Sequence, residues 1–346
     1  MSTSDTDAVL ARLLEEGRAR ATSIDPHHAV LWEALASATE GGKRFRPALV
    51  VATHDALGGA LPAAAAEVGA AVELLHTAFV IHDDVIDGDH LRRGRPNVSG
   101  TFRAEARSGG ADARAVNDYG LTAAILAGDL ALSTSVRAVA TCGAEPPLVH
   151  RLLDLFDTAL HTTASGELAD VRLSMNLAET TLAESLAMEE QKTSAYSFSL
   201  PLQAGAILAG ASTGTVRRLD DAGRALGVAF QLVDDLIGVF GDPERSGKSS
   251  RSDLRTRKQT PLIVHARSTD SWKQVSGYTG RDLDPQELDE VRALLTASGS
   301  RQFVEDLAEG HLASARAVLD KLGIRVELLD GWTTRPPVLA GSGAAA

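Results

Sequence analysis

The sequence predicts an all-α fold, and three observations carry that expectation. Apolar residues recur at spacings of three and four through most segments, as one buried face of a helix requires. The chain is 44% hydrophobic but only 4% aromatic, with Ala, Leu and Val spread along its whole length, a balance that favours helices over sheets. No run of alternating polar and apolar residues is long enough to nominate a sheet.

Taken in order, Val9, Leu10, Leu13 and Leu14, then Val30, Leu31, Ala34 and Leu35, set the helical period near the start. Further helices are expected over Glu67–Asp87, Tyr119–Thr141, Pro147–Leu177, Leu182–Gly210, Thr215–Phe240, Gln259–Arg267, Pro285–Ser298 and Arg301–Leu322. Gly and Pro clusters separate them, at Gly41-Gly42, Gly58-Gly59, Gly94 to Pro96, Gly109-Gly110, Pro146-Pro147 and Gly241 to Ser252. No repeat of fixed period and no Pro-, Gly- or Ser-rich linker divides the chain. A single domain over residues 1–346 is therefore expected, with loose ends at about 1–6 and 335–346.

A formal net charge of −12 argues against general nucleic-acid or anionic-membrane binding, because either needs a basic surface. An anionic ligand must be met by local cations or by metal. The single Cys142 excludes an intrachain disulfide and a Cys-rich metal site, which suits a reducing cytoplasm. Met1 to Asp7 is polar, with no apolar core behind positive charge, and apolar stretches such as Leu121 to Leu132 are interrupted by Gly and Asp. Neither a signal peptide nor a transmembrane segment is expected, and the chain reads as cytoplasmic.

Two acidic clusters stand out. Asp83, Asp84 and Asp87 follow the apolar stretch Leu74 to Ile81; on a helix Asp83 and Asp87 share a face, with Asp84 about 100° round. Asp234-Asp235 close a second apolar helix running from Leu226 to Val233. A lone acidic cluster reads as a solvated helix end. Two that oppose both the core and the negative end of the helix dipole read as a site whose partner is cationic. Oxygen-only ligands select a hard cation, and Mg²⁺ commonly binds through a few carboxylates plus substrate phosphate. Gly247-Lys248-Ser249 lacks the upstream glycine and strand of a P-loop.

Cations flank both clusters. Gly41-Gly42-Lys43-Arg44-Phe45-Arg46-Pro47 places three in a glycine-bearing loop before an apolar helix; Arg92 and Arg93 follow the first cluster, and Lys248 and Lys258 follow the second. Singly these are ordinary surface charges. Together they outline metal on one side and phosphate-binding Lys and Arg on the other, enough for two diphosphates.

These residues resemble the trans-isoprenyl diphosphate synthase (polyprenyl synthetase) family over nearly the whole chain. The resemblance runs through Gly-Gly-Lys-Arg-Phe-Arg-Pro at 41–47, His76, Ile81-His82-Asp83-Asp84-Val85-Ile86-Asp87 and Arg92-Arg93-Gly94, then Leu126-Ala127-Gly128-Asp129, Lys192-Thr193, Phe230 to Asp235, and Gly241-Asp242 to Asp253-Leu254. It implies an antiparallel helix bundle around a deep apolar cavity, of the isoprenoid synthase type I fold, usually as a homodimer. By the same resemblance Asp83, Asp84 and Asp87 bind Mg²⁺ on an allylic diphosphate, with Arg92 and Lys192 on its oxygens. Lys43, Arg46, His76 and Arg93 would hold the diphosphate of isopentenyl diphosphate. Asp234 and Asp235 would carry further Mg²⁺, two or three ions in all and replaceable by Mn²⁺. Lys248 and Lys258 would close over the leaving group, while Thr193 and Gln231 line the reacting end. Asp83, Asp84, Asp87, Lys192, Asp234 and Asp235 are thus the expected catalytic set, for a head-to-tail condensation.

One departure matters: the family's second motif commonly carries a third acid where this chain has Gly238. The run from Asp234 to Asp242 also faintly resembles the metal triad of class I terpene cyclases, again incomplete at Gly238. A cyclase would have no use for Lys43, Arg46, His76 and Arg93, and a non-catalytic subunit would show degraded aspartates, whereas five of the usual six are present. Phe79 and Ala78, four and five residues before Asp83, should lie roughly 6 to 8 Å below the metal at the floor of the cavity. One bulky and one small residue there suggest geranylgeranyl diphosphate as product, with farnesyl and longer chains as alternatives.

Overall fold

Helices form where the periodicity places them, and their ends follow local chemistry. The computed structural model describes residues 3–175, 177–241 and 252–325. In order come α1 (Thr3–Ile24), α2 (Pro26–Thr39), α3 (Phe45–Ala56), α4 (Pro62–Asp87), a short antiparallel hairpin β1 (Leu91–Arg92) and β2 (Arg95–Pro96), α5 (Val98–Ser108), α6 (Ala113–Ala140) and α7 (Pro146–Ser174). Helix α8 (Leu182–Glu189) leads directly into a π-helical segment, Glu190–Ser199, then α9 (Leu200–Leu208) and α10 (Thr213–Phe240). Longer helices after it span Pro261–Arg267, Pro285–Ala297 and Ser300–Lys321.

Several of these elements differ from the sequence reading, for identifiable reasons. Helix α1 begins at Thr3, inside the stretch expected to be loose, and Thr6 is buried. The start of α6 moves ahead of Tyr119 because the Asp112 side chain accepts from the Ala115 N–H and caps it. Helix α5 buries only Val98, Ser99 and Phe102, too few apolar residues to set a period between two turn signals. The tail from 335 lies outside the described residues.

The chain divides into two compact units. One is built on Met1–Asp157 and Pro201–Val216. Its centre is α4, buried from Ala64 through Leu75 almost without interruption and packed against α1, α3 and α6. Ser135 of α6 donates to the Ala71 carbonyl at 2.7 Å, fixing α6 along it. Both α4 and α6 are long and apolar enough to cross a membrane by length and composition; 78% of the apolar window of α4 is buried inside the protein, as befits a core helix.

The other unit is built on Thr158–Leu200 and Arg217–Leu322. Val228, Leu232 and Leu236 of α10 join Leu262, Val291, Leu295, Val304 and Ala308 of the later helices in one core. The π-helical segment is held very close to its neighbours. A Cβ on Gly166 of α7 would lie 2.2 Å from the Lys192 nitrogen, and one on Gly227 of α10 would lie 2.2 Å from Ser194 Oγ. Only glycine permits either approach.

Candidate active site

Helix α4 carries the first acidic group at its end. Gly88, at φ 70°, stops the helix just after the aspartates, as a left-handed C-terminal glycine does. Asp84 is 4% exposed, Asp83 is partly exposed and Asp87 is exposed. The hairpin then returns Arg92 to them. Arg93 and Gly94 both have positive φ, 53° and 74°, between the paired Arg92 and Arg95. Such a two-residue turn matches the strand twist and ordinarily takes Asn-Gly. Arg92 donates from Nε at 2.9 Å and Nη2 at 2.6 Å to Asp84 Oδ1, and from Nη2 at 3.5 Å to Asp83 Oδ2. Burial raises the Asp84 carboxyl above its usual pKa, against the opposing pull of Arg92. Arg92 was expected on substrate oxygens; its hydrogen bonds in the fold go to the aspartates.

Arg93 donates instead to backbone carbonyls, Glu40 at 2.8 Å and Gly41, so it braces the glycine loop that presents Lys43. Lys43 is exposed. Arg46 is 8% exposed, its guanidinium 4.3 Å from the Phe45 ring centre. Arg44 was not singled out from the sequence. It starts α3 in a left-handed conformation, φ 49°, and pairs with Glu73 at 2.6 Å and Asp7 at 3.2 Å. His76 lies among all of these cations. Burial, then Arg46, Arg92, Arg93 and Arg44, hold its pKa well below the ordinary value, so the ring is neutral at neutral pH. Of these four guanidiniums, Arg92 and Arg44 are paired with carboxylates, and Arg93 is turned to backbone carbonyls. Ala78 is buried and Phe79 half-buried on the same helix.

The second acidic group belongs to the other unit. On α10, Asp234 is partly exposed and Asp235 is 4% exposed. Gln231 donates to Asp235 Oδ1 at 3.1 Å and accepts from Thr193 Oγ1 at 3.2 Å, so these expected residues form one chain of contacts. Lys192 Nζ is shared between Glu167 at 3.0 Å and Asp170 at 2.7 Å. Both Lys192 and Thr193 sit in the π-helical segment, a winding often found at functional sites.

Glu189, immediately before that segment, was missed. It is 3% exposed, and burial first and then Asp235, Asp170 and Asp234 push its pKa well above the ordinary carboxylate range. Nothing in the sequence distinguishes it from Glu190 beside it, except its place three residues before Lys192. Lys258 lines a cavity of about 180 Å³ with Arg257, Arg267 and Trp272. Gly238 is buried, and Lys248 lies outside the described residues.

Among the described residues no three His, Cys, Asp or Glu side chains are already disposed to hold an ion. The donor set fits Mg²⁺: all oxygen, with Glu189 Oε2 buried and without a hydrogen-bond partner.

Comparison with known proteins agrees with this chemistry. The model of the polyprenyl synthetase family matches residues 28–296. A geranylgeranyl diphosphate synthase of Mycobacterium tuberculosis is 33% identical over 322 residues, 91% of this chain and 86% of its own length. A (2E,6E)-farnesyl diphosphate synthase of Mycobacterium bovis is 33% identical, over 82% of this chain and 75% of its own. The crystal structure of a Corynebacterium glutamicum geranylgeranyl pyrophosphate synthase, complexed with isoprenyl diphosphate and magnesium, superposes with a TM-score of 0.85 at 27% identity, covering 95% of each chain. With acid groups, cations and helical architecture all in agreement, the chain belongs to the polyprenyl synthetase family, an all-α family of prenyltransferases.

Proposed function

We propose that this chain condenses isopentenyl diphosphate head to tail with allylic diphosphates, making geranylgeranyl diphosphate. The observation that carries the reading is His76, held neutral by burial and by Arg46, Arg92, Arg93 and Arg44, on the same helix as Asp83, Asp84 and Asp87. One helix thus carries a histidine set among arginines from neighbouring segments and the carboxylates that would hold a metal. The product length is supported by the relatives from M. tuberculosis and C. glutamicum that are named geranylgeranyl synthases; the M. bovis relative keeps farnesyl diphosphate as the second reading.

Asp83, Asp84 and Asp87, with Asp234 and Asp235, would hold Mg²⁺, two or three ions in all, and Mn²⁺ would replace it. When bound, such ions supply the positive charge that stabilises a departing diphosphate. Arg92 holds Asp83 and Asp84 in place, and Lys192 adds a donor for the leaving oxygens. Lys43, Arg46 and His76 orient the diphosphate of isopentenyl diphosphate, with Arg93 bracing the Lys43 loop. Thr193 and Gln231 line the reacting end, and Lys248 and Lys258 close over the leaving group. No protein nucleophile is required: the isopentenyl double bond attacks the allylic cation, and a proton is lost to the released diphosphate. Ala78 and Phe79 set the depth available to the tail. The protein works as a homodimer in the cytoplasm; the apolar face that α6 leaves exposed, with Leu121, Ile125 and Leu126, supports the dimer.

Purified protein incubated with Mg²⁺, isopentenyl diphosphate and each allylic diphosphate in turn tests the reading. Elongation is expected; cyclised product or none would overturn it. Asp83→Ala and Asp234→Ala should each lower turnover by orders of magnitude while sparing stability. Retained activity in both, with EDTA harmless, would remove the metal from the mechanism.

A further inference from the structure

We propose that the cavity walled by Arg257, Lys258 and Arg267 is a second anion site, which takes a phosphate or diphosphate group on residues that belong to neither acidic group. It encloses about 180 Å³, below the roughly 300 to 1,000 Å³ of pockets for organic ligands, so a small oxyanion suits it. Among the described residues that line it, three are cations and none is an acid, in a chain whose 46 acids outnumber its 34 Lys and Arg. Guanidiniums present paired donors that match phosphoryl oxygens, and three cations exceed what a single carboxylate needs. Lys258 is shared, since the proposed function sets it over the leaving group. Arg257 and Arg267 have no part there, so the site goes beyond that reading.

The backbone and a buried amide hold the two arginines in place. Arg257 has a left-handed conformation, φ 57°, which costs energy for a residue with a side chain and almost none for glycine. Among the described residues the only others with a side chain at positive φ are Arg44 and Arg93, and the guanidiniums of both are bonded within the fold. That of Arg257 makes no hydrogen bond or ion pair among the described residues; its Nε lies against Gly280, where an added Cβ would come within 2.1 Å. Gln259 is 4% exposed and joins the pair: its Nε2 donates to the Arg257 carbonyl at 2.8 Å, and its Oε1 accepts from Arg267 Nη2. Ser185 Oγ of α8 donates to the Gln259 carbonyl at 2.6 Å, which fixes the bridge to the core. Trp272 lines the same cavity, its ring centre 5.4 Å from the Arg267 guanidinium. A surface arginine resting on a tryptophan would account for Arg267 alone. It leaves unexplained a strained backbone that sets a second guanidinium, with no acid beside it, on the same cavity, and strain of this kind gathers at ligand clamps.

Tryptophan fluorescence of the full-length protein, with EDTA present to keep metal from the acidic groups, tests this without turnover. Orthophosphate, pyrophosphate and isopentenyl diphosphate are titrated in turn. Pyrophosphate should bind the wild type and change the fluorescence, and the change should vanish in Trp272→Phe. Arg257→Gly suits the left-handed backbone and should fold. It and Arg267→Gln should each weaken binding by about tenfold or more, as the loss of a charged hydrogen bond implies, while Arg46→Gln should leave it unaltered. Tighter binding of pyrophosphate supports the free anion as occupant, and tighter binding of isopentenyl diphosphate supports the head group of a prenyl ligand; both keep the site. No fluorescence change with any of the three, or an affinity unchanged in both Arg257→Gly and Arg267→Gln, would overturn the proposal. A loss confined to Arg46→Gln would also overturn it and return the anion to the cations beside His76.

Discussion

Gly166→Ala is a small substitution with a large expected effect, because its new methyl group would meet main chain. In an exposed helix interior, Gly to Ala stabilises by about 1 kcal/mol. At position 166, in the middle of α7, the added Cβ would fall 2.2 Å from the Lys192 nitrogen and 2.6 Å from both the Gln191 carbonyl carbon and Lys192 Cα. These are backbone atoms, which cannot rotate away as a side chain can. The two segments must separate by roughly an ångström, and overpacking of this kind costs about 3 kcal/mol at the upper end of its usual range. Setting the propensity gain against it leaves a net loss of about 2 kcal/mol, several degrees in melting temperature for a chain of this size. The displaced segment carries Lys192 and Thr193, to which the proposed function gives places at the reacting end, and misplacing a catalytic group by 1 Å can lower turnover on the order of a hundredfold. Gly310→Ala is the control: nothing lies within 4 Å of its added Cβ, it sits inside Ser300–Lys321, and it should stabilise. Urea denaturation of both variants, with kcat and KM for the allylic diphosphate, decides the matter. If Gly166→Ala is as stable as the wild type and its kinetics are unchanged, the close approach of α7 to the π-helical segment is refuted.

Three further outcomes are expected. Ala78→Phe should shorten the product and Phe79→Ala should lengthen it, read by mass spectrometry of the products; unchanged length in both would place the cavity floor elsewhere. Gly238→Asp in the wild-type background should change the Mg²⁺ titration more than the product, and an unchanged titration would show that position 238 does not face the metal group. His76 has a folded pKa well below the ordinary value, so the unfolded chain binds the proton first as pH falls. Stability from this group is complete above about pH 6.5 and declines as pH drops through it, by at most about 1.4 kcal/mol between pH 7.5 and 5.5. Melting curves of His76→Gln should therefore fall less with acidification than those of the wild type; parallel falls would show that His76 is not held neutral.

Much of the fold and part of the site was legible in the sequence, and the division has a physical basis. Helices such as α4 and α10 declare themselves through period alone. Adjacent acids at their ends are conspicuous because local rules disfavour them. The hairpin and α5 were not read, since two-residue strands and a helix with three buried residues leave no periodic trace. Arg44 looked like one of three equivalent loop cations. What separates it is a left-handed backbone and a partner, Glu73, that lies 29 residues away. Glu189 was invisible for the same reason: its neighbours come from other helices, and the glycines that admit them carry no label of their own.

The two acidic groups meet different neighbours within their own units. Asp84 is buried but receives two donors from Arg92 on one oxygen, so its unit already offsets much of its charge. Asp235 accepts a neutral amide from Gln231 at 3.1 Å, and burial with Asp235 close by raises the Glu189 carboxyl above the ordinary range. Buried carboxylates placed side by side raise one another's proton affinity, and a divalent ion relieves them more strongly than a proton because it meets several at once. On the proposed function, a divalent ion would relieve the crowding of Glu189 and Asp235 in one unit, and in the other it would share Asp83 and Asp84 with Arg92.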